Sequence, residues 1–378
     1  MLNMDEKVIN FLEKSDYETP FFVFSKKDIV DKYYEFKKYF PGAIIHYALK
    51  ANAEKETLKT LLKVGASFEV ASRYELDMLK KIKVPARRII YGTSVKQVSH
   101  IRAFYQYGVD RFAFDSLGEL EKIAEVIPKA KVYCRVVVND SGSVYRFSEK
   151  FGTDIKNIIV LLDRARELGL HPYGISFHVG SQASNKMIWA EALKSLHEPL
   201  MQLKKIGITL DVINIGGGFP CTSYTSSDYD FDIKDIADYT MDQYRKLPYH
   251  PMLILEPGRA IVAQAGVLVT TVIARIDRAE HTWLFLDAGV YNALFESLSY
   301  QGSTRYKITS VRPVTDQGES LFALAGPTGD SWDIITREAL LPRDIAIGDK
   351  ILFHDVGAYN TVFMSRFNGF PDTPVYFI

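Results

Sequence analysis

A lysine closes an apolar, strand-like run, Ile44-Ile45-His46-Tyr47-Ala48-Leu49-Lys50-Ala51-Asn52. A strand buried on both faces reads as a near-continuous apolar run, and an ammonium at its end faces partial desolvation. That lowers an amine's pKa and makes it a better nucleophile, the setting in which lysines form Schiff bases with carbonyl compounds. Other chemistry-bearing residues stand at the ends of later apolar runs. They are Glu69, Thr93, Asp115, Arg135, His178 with Ser181, the triplet Gly216-Gly217-Gly218, and Glu256 with Arg259. A structural cap or a surface charge accounts for any one of them alone. As a converging set of ionisable groups around a glycine turn, they are difficult to assign to structure.

Each residue has a physical role open to it. Glycines at 216–218 let backbone N–H groups approach a phosphate without Cβ obstruction, with a helix N-terminus nearby; a plain flexible loop is the alternative. Arg259 can add a charge-assisted contact to the same phosphate. Glu256 can pair with a protonated pyridine nitrogen and keep the ring of pyridoxal phosphate (PLP) cationic, a strong electron sink. A salt bridge at the end of a strand is the alternative. His178, in Phe177-His178-Val179-Gly180-Ser181, either stacks on a cofactor ring or is a satisfied core histidine. Cys134 lies inside a strand and reads as a core residue.

The elements that must position these groups alternate. Apolar strand candidates are Ile44–Lys50, Phe68–Ser72, Arg88–Thr93, Arg111–Ser116, Val132–Val138, Gly174–Ser181, Val212–Gly218 and Leu253–Gly258. Helical periodicity separates them, as in Leu58, Leu61 and Leu62, or Ile158, Leu161, Leu162 and Ala165. Strand alternating with helix implies a parallel sheet, and eight repeats imply closure into a (β/α)₈ TIM-like barrel with its active site at the C-terminal strand ends. The rival is an open doubly wound sheet, although no GxGxxG follows the first strand. After Glu256 strand-like runs follow one another: Ile261–Ala274, Thr282–Asp287, Tyr306–Val311, Ser320–Ala325, Lys350–His354 and Val375–Ile378. They predict a C-terminal antiparallel β domain, to which Phe21–Phe24 is expected to pair. The expected division is a barrel over 25–255 and a β-sandwich or β-barrel-like domain from 1–24 plus 256–378. The polar stretch Ser223–Asp232 reads as an exposed loop.

Composition narrows the partners. Lys+Arg and Asp+Glu both number 46 in 378 residues, so net charge offers no argument for nucleic acid or membrane binding. Two cysteines form no disulfide framework, which suits a reducing cytoplasm. The N-terminus lacks a basic start followed by an apolar stretch, and no run is apolar enough to span a bilayer. No metal site is expected.

In its motifs the chain resembles the fold-type III PLP-dependent decarboxylases of the ornithine, lysine, arginine and diaminopimelate group, most of all the ornithine decarboxylase branch. The resemblance rests on Tyr47-Ala48-Leu49-Lys50-Ala51-Asn52, Phe68-Glu69-Val70-Ala71-Ser72, Lys150-Phe151-Gly152, Phe177-His178-Val179-Gly180-Ser181 and Gly216-Gly217-Gly218-Phe219-Pro220. It continues in Glu256-Pro257-Gly258-Arg259, Gly326-Pro327-Thr328-Gly329-Asp330-Ser331 and Gly357-Ala358-Tyr359. It implies an alanine racemase-like barrel and a PLP cofactor bound through a Schiff base to Lys50. It also implies that Glu256 holds the pyridine nitrogen and that His178 stacks on the ring. Ser181, Gly216, Gly217, Gly218, Gly258, Arg259 and Tyr359 would hold the phosphate, with Glu69, Glu75 and Arg135 nearby. It further implies a cytoplasmic homodimer with shared active sites, in which the segment Gly326 to Asp333 completes the partner's site. The substrate would be an L-amino acid of the ornithine, lysine or arginine type, or a derivative, losing CO₂ to give an amine, as in polyamine biosynthesis; a phenol at Tyr300 would instead suit an aromatic, neutral or larger conjugated substrate.

Two positions depart from that pattern. Gly329 stands where the family's decarboxylases carry a cysteine that directs protonation. Without the thiol, decarboxylation coupled to transamination or oxidative deamination becomes an alternative, as does protonation by Lys50. The family's acidic residue for a distal ammonium falls at or near Tyr300, which leaves Asp330, and Glu296 in an unsettled register, as the acids nearby. A third reading is a non-catalytic regulator of the antizyme-inhibitor kind, against which the retention of Lys50, His178, Glu256, Arg259 and Tyr359 argues.

Overall fold

The computed structural model describes residues 4–221, 232–278, 280–299 and 306–378. In chain order its first strands are β1 (Phe21–Phe24), β2 (Ile44–Ala48), β3 (Ser67–Val70), β4 (Ile89–Tyr91), β5 (Arg111–Phe114) and β6 (Lys131–Arg135). There follow β7 (Ser143–Tyr145), β8 (His171–Ser176), β9 (Ser181–Ala183), β10 (Val212–Asn214) and β11 (Met252–Leu255). The last seven are β12 (Gly266–Asp277), β13 (Thr282–Leu286), β14 (Ile308–Ser310), β15 (Glu319–Ala325), β16 (Ile334–Pro342), β17 (Lys350–His354) and β18 (Val375–Phe377). The chain divides into two compact units. One holds Asp31–Pro220 and the stretch that ends at Gly258; the other holds the residues through Val30 and Arg259–Ile378.

In the first unit β2-β3-β4-β5-β6-β8-β10-β11 form a closed barrel of parallel pairs. The expected (β/α)₈ architecture is present and the open sheet is excluded. Alternation explains why the strands read as apolar throughout. Inward residues Ile90, Ala113 and Tyr133 pack together with Tyr173. The intervening Tyr91 and Phe112 face outward, where Tyr91 stacks on Phe104 of the helix Val98–Tyr107 at 3.9 Å between centroids. Such a ring pair adds about 0.5–1.5 kcal/mol beyond the area it buries. Two of the helices that follow strands begin at side-chain caps. Ser72 caps Arg73–Lys81, its hydroxyl accepting from the Glu75 N–H, and Asp232 caps Ile233–Arg245 in a capping box with Asp235. The rest of the polar stretch read as a loop, 223–231, lies outside the described residues.

The second unit is an eight-stranded sheet in the order β14-β17-β12-β13-β15-β16, with β1 pairing β12 and β18. Its core gathers Val8, Phe21, Val23, Val267, Val269 and Leu352. Most pairs are antiparallel, as expected, and Phe21–Phe24 joins this sheet, but β1–β18 and β13–β15 are parallel. The stretch 287–318 between β13 and β15 is long enough for the crossover that a parallel pair requires. Two boundaries also differ from the sequence reading. Residues Arg259–Val262 form a helical turn before β12, and β16 was not anticipated. In Ile334-Ile335-Thr336-Arg337-Glu338-Ala339-Leu340-Leu341-Pro342 exposed Arg337 and Glu338 interrupt the alternation, and irregular pairing with β15 absorbs the break.

His46 on β2 is fully buried, and neither ring nitrogen has a hydrogen-bond partner among the described residues. Burial, then the nearby Arg111 guanidinium, pushes its pKa down from 6.5 to about 3. The folded value lies below the unfolded one, so the stability this neutral ring supports is complete above about pH 6.5 and lost as pH falls toward 3. Urea midpoints measured between pH 7 and pH 5 are expected to drop further for the parent chain than for His46→Gln.

Candidate active site

The C-terminal rim of the barrel carries the amine of Lys50. Lys50 sits in the single turn Leu49–Ala51 directly after β2, and its Nζ stands 3.4 Å from Oε2 of Glu69. Glu69 points inward from β3 and is 3% exposed, whereas the Lys50 side chain is 45% exposed. The desolvation expected for this amine is therefore corrected: it stands in the open mouth beside a buried carboxylate. Near the pair lies Glu75, whose Oε2 accepts from the Ala71 N–H at 2.5 Å. Burial, then the Glu69 charge, pushes the Glu75 carboxyl up to about 7.

On the other side of Lys50 from β3, Glu256 follows β11, the strand that pairs with β2, and accepts from Nδ2 of Asn214 at 2.6 Å. Oδ1 of that amide accepts from the Gly216 N–H at 2.9 Å, so one side chain ties the carboxylate to the glycine turn. Sequence reasoning overlooked Asn214; its signal was an amide in the apolar run Val212-Ile213-Asn214-Ile215. Burial, then Glu69, pushes the Glu256 carboxyl up to about 7, while Lys50, Asn214 and Arg135 act against the rise. His178 accepts from the Gly180 N–H at Nδ1, 3.1 Å away, which assigns the remaining ring proton to Nε2. Burial, then the Arg135 and Lys50 charges, holds its pKa well below the usual range, so the ring is neutral. Arg135, at the end of β6, lies over the Phe151 ring at 5.1 Å. Ser181 opens β9 opposite Tyr145.

The glycine turn has two reasons for its composition. Gly216 and Gly218 adopt φ of +67° and +92°, and a Cβ on them would meet carbonyl oxygens of Phe177 and Gly180 at 2.3 and 2.1 Å. Close backbone packing therefore already demands glycine, a requirement the phosphate argument did not include. The N–H groups of Gly217 and Gly218 have no protein acceptor among the described residues, which leaves them as donors for an anion. Gly258 packs against Ala48 and Ala51, where a Cβ would lie 2.8 Å from that of Ala51.

Other expected site residues lie in the second unit. Arg259 is buried, and its two terminal amines donate to Glu296 at 2.8 and 2.7 Å. Its guanidinium lies over the Tyr359 ring at 4.6 Å. The fork expected to face a phosphate thus meets a carboxylate, and Glu296, on that account, is not an acid poised for a substrate ammonium. Asp333, overlooked as an organiser, is 2% exposed and accepts from Val290 N–H, Thr328 N–H and the Thr328 hydroxyl. It folds the segment 326–333 into a loop that displays Gly329 and Asp330. Asp330 is exposed and accepts from the Tyr291 hydroxyl at 2.9 Å. Tyr300 lies outside the described residues. Among the described residues there is no metal-binding cluster of His, Cys, Asp or Glu, and no helix long and apolar enough to cross a membrane.

The raised Glu256 carboxyl has a consequence for stability. Its folded value of about 7 exceeds the 4.5 of an unperturbed glutamate, so the contribution is present below about pH 4.5 and lost as pH rises through 7. In cofactor-free protein Glu256→Gln is expected to raise stability at pH 8 by on the order of 1 kcal/mol, with the difference shrinking as pH falls and vanishing below about pH 4.5 in urea titrations.

Comparison with known proteins identifies the family. Residues 26–263 match the family model described as pyridoxal-dependent decarboxylase, pyridoxal binding domain. The chain is 32% identical to ornithine decarboxylase of Mus musculus over 99% of its length and 84% of that protein. It is 33% identical to lysine/ornithine decarboxylase of Selenomonas ruminantium over 97% of its length and 91% of that protein. The crystal structure of the Paramecium bursaria Chlorella virus arginine decarboxylase bound to agmatine superposes with a TM-score of 0.91 at 30% identity. It covers 99% of this chain and 100% of the viral one. The barrel with its appended sheet, the lysine–carboxylate rim and these relationships together place the chain in the family of PLP-dependent amino-acid decarboxylases, near the ornithine decarboxylase branch.

Proposed function

We propose that Lys50 is the covalent anchor for PLP and that the protein decarboxylates an L-amino acid of the ornithine, lysine or arginine type, or a derivative, to an amine. The observation that carries this reading is the rim cluster on three adjacent strands: a reachable amine 3.4 Å from a buried carboxylate, flanked by a second carboxylate fixed by Asn214. The donor set suits the cofactor. Lys50 offers an amine to an aldehyde carbon, Glu256 a carboxylate to a ring N–H, and Gly217 and Gly218 two N–H groups to a phosphate. When bound, PLP supplies a sink for the electrons that loss of CO₂ leaves on Cα.

The chain's own residues supply the rest. Exposure of Lys50 leaves its amine within reach of an incoming substrate, and Glu69 can hold or return a proton at Nζ. A cation against Glu256 would oppose the burial that raises its pKa, so the carboxylate and a ring N–H stabilise each other. Neutral His178 can present an uncharged ring face. Ser181, Gly258, Arg259 and Tyr359 remain expected phosphate neighbours, Arg259 acting with its charge already balanced by Glu296. Asp330, exposed beside Tyr291, is the acid proposed to meet a distal ammonium. Its display on a surface loop supports the homodimer with shared sites, and the balanced charge and paucity of cysteines support the cytoplasm.

A second reading is favoured by Gly329. A Cβ there would meet nothing within 4 Å, so neither packing nor a left-handed backbone requires glycine. Its lack of a thiol favours decarboxylation with amination of the cofactor, which yields an aldehyde. A purely regulatory role has no use for the retained Lys50, His178 and Glu256.

Mass analysis of products from PLP-loaded protein with L-ornithine, L-lysine, L-arginine and aromatic amino acids is expected to find an amine lighter than its substrate by CO₂. An aldehyde with aminated cofactor would favour the second reading, and Gly329→Cys should then restore the amine. No turnover and no PLP absorbance would support the regulatory one.

Mixing a Lys50→Ala chain with an Asp330→Ala chain, each inactive alone, is expected to recover up to about a quarter of parental activity, since shared sites give each mixed dimer one intact site. No recovery despite demonstrated subunit exchange would rule out sharing through Asp330.

A further inference from the structure

The glycines of the barrel unit divide by what a side chain would strike. At Gly174, Gly216, Gly217 and Gly218 an added Cβ would come within 2.6 Å of a backbone oxygen. Gly92, directly after β4, is different. Its Cβ would meet Oε1, Cγ and Cδ of Glu69 at 2.3, 2.7 and 2.8 Å, and those are its three nearest atoms. Its φ lies outside the left-handed region, so the backbone does not require glycine either. The position is empty for the benefit of one side chain.

That side chain is the partner of Lys50. Glu69 is buried to 3% exposure and pairs along the sheet with Ile90, while the Gly92 N–H donates to the Val70 carbonyl at 3.0 Å. These contacts fix the backbones of both residues, so an added methyl leaves only the carboxylate to move. Because three consecutive groups of Glu69 lie within 2.8 Å of the added carbon, a small bend does not suffice and the side chain must change rotamer. An ion pair of 3.4 Å does not survive such a change.

We infer that Gly92 is a positioning residue for the reactive amine: it is the seat that holds the Glu69 carboxylate against Lys50. The inference rests on the proposal that Lys50 anchors PLP. It has support in the surrounding carboxyls, since the Glu69 charge is also among the causes that raise Glu75 and Glu256. The one empty position thus governs how negative charge is arranged across the rim.

The test uses full-chain protein loaded with PLP, read by the pH midpoint of its visible absorbance rather than by turnover. A nearby carboxylate favours the protonated form of a nitrogen, so withdrawing it moves the midpoint down. In Gly92→Ala the midpoint is expected to fall by about 0.5 or more, with an unchanged thermal midpoint of unfolding showing that the fold is intact. In a Glu69→Ala background the same substitution is expected to move nothing. Glu69→Asp, one methylene shorter, is expected to return the Gly92→Ala protein toward the parental midpoint. An unshifted midpoint in Gly92→Ala, or a shift that persists without Glu69, overturns the inference. If Lys50→Ala retains the parental absorbance, the anchoring proposal fails instead, and the two failures are told apart.

Discussion

The pairing of Lys50 with Glu69, 3.4 Å apart at the barrel rim, sets the conditions for the rest of the site. A carboxylate buried to 3% needs a cation, and Lys50 supplies it from the mouth while remaining exposed enough to react. The same buried charge burdens its neighbours: Glu75 and Glu256 are both pushed up to about 7, with burial first and Glu69 second among the causes. Three carboxyl groups near one another cannot all be ionised in a desolvated space without further cations. The rim is thus built to receive positive charge, which is what a protonated cofactor ring or a substrate ammonium brings.

Closure of the barrel makes this arrangement possible. Eight parallel strands bring all their carboxyl ends to one rim, so groups far apart in the chain become neighbours without any loop having to search for them. The supporting contacts are equally economical. Asn214 serves Glu256 and Gly216 at once, Gly180 fixes the tautomer of His178, and Ser72 and Glu75 cap a helix while holding Glu75 near Glu69 and Lys50. These bonds hold side chains rigid before any ligand arrives, the condition for electrostatic preorganisation.

In the second unit the decisive interaction is the fork between Arg259 and Glu296. Both side chains are 4% exposed and two hydrogen bonds join them. Breaking such a pair from one side would leave an unpaired buried charge, so each residue constrains the other. Glu296 was readable as an acid for a substrate, yet burial against Arg259 gives it another role. Asp333 works similarly for its loop: three donors converge on one buried carboxylate, and Gly289 and Gly326 lack side chains that would displace it.

Alternation of apolar runs with helical periods was enough, in the sequence by itself, to specify a parallel barrel, because strand and helix periods are local properties of the chain. The motifs around Lys50, His178, Gly216 and Glu256 likewise named the residues of the rim and the cofactor they suit. Tertiary structure alone decided the partners. That Lys50 is exposed rather than desolvated, that Asn214 bridges Glu256 to the glycine turn, and that Arg259 is held by Glu296 depend on distances between residues remote in sequence. Gly92 marks the limit most clearly. In sequence it is one glycine among 24, and only the proximity of the Glu69 side chain on the adjacent strand gives its missing Cβ a meaning. Charge pairing and steric exclusion act through space, and the spacing of residues along the chain does not carry that information.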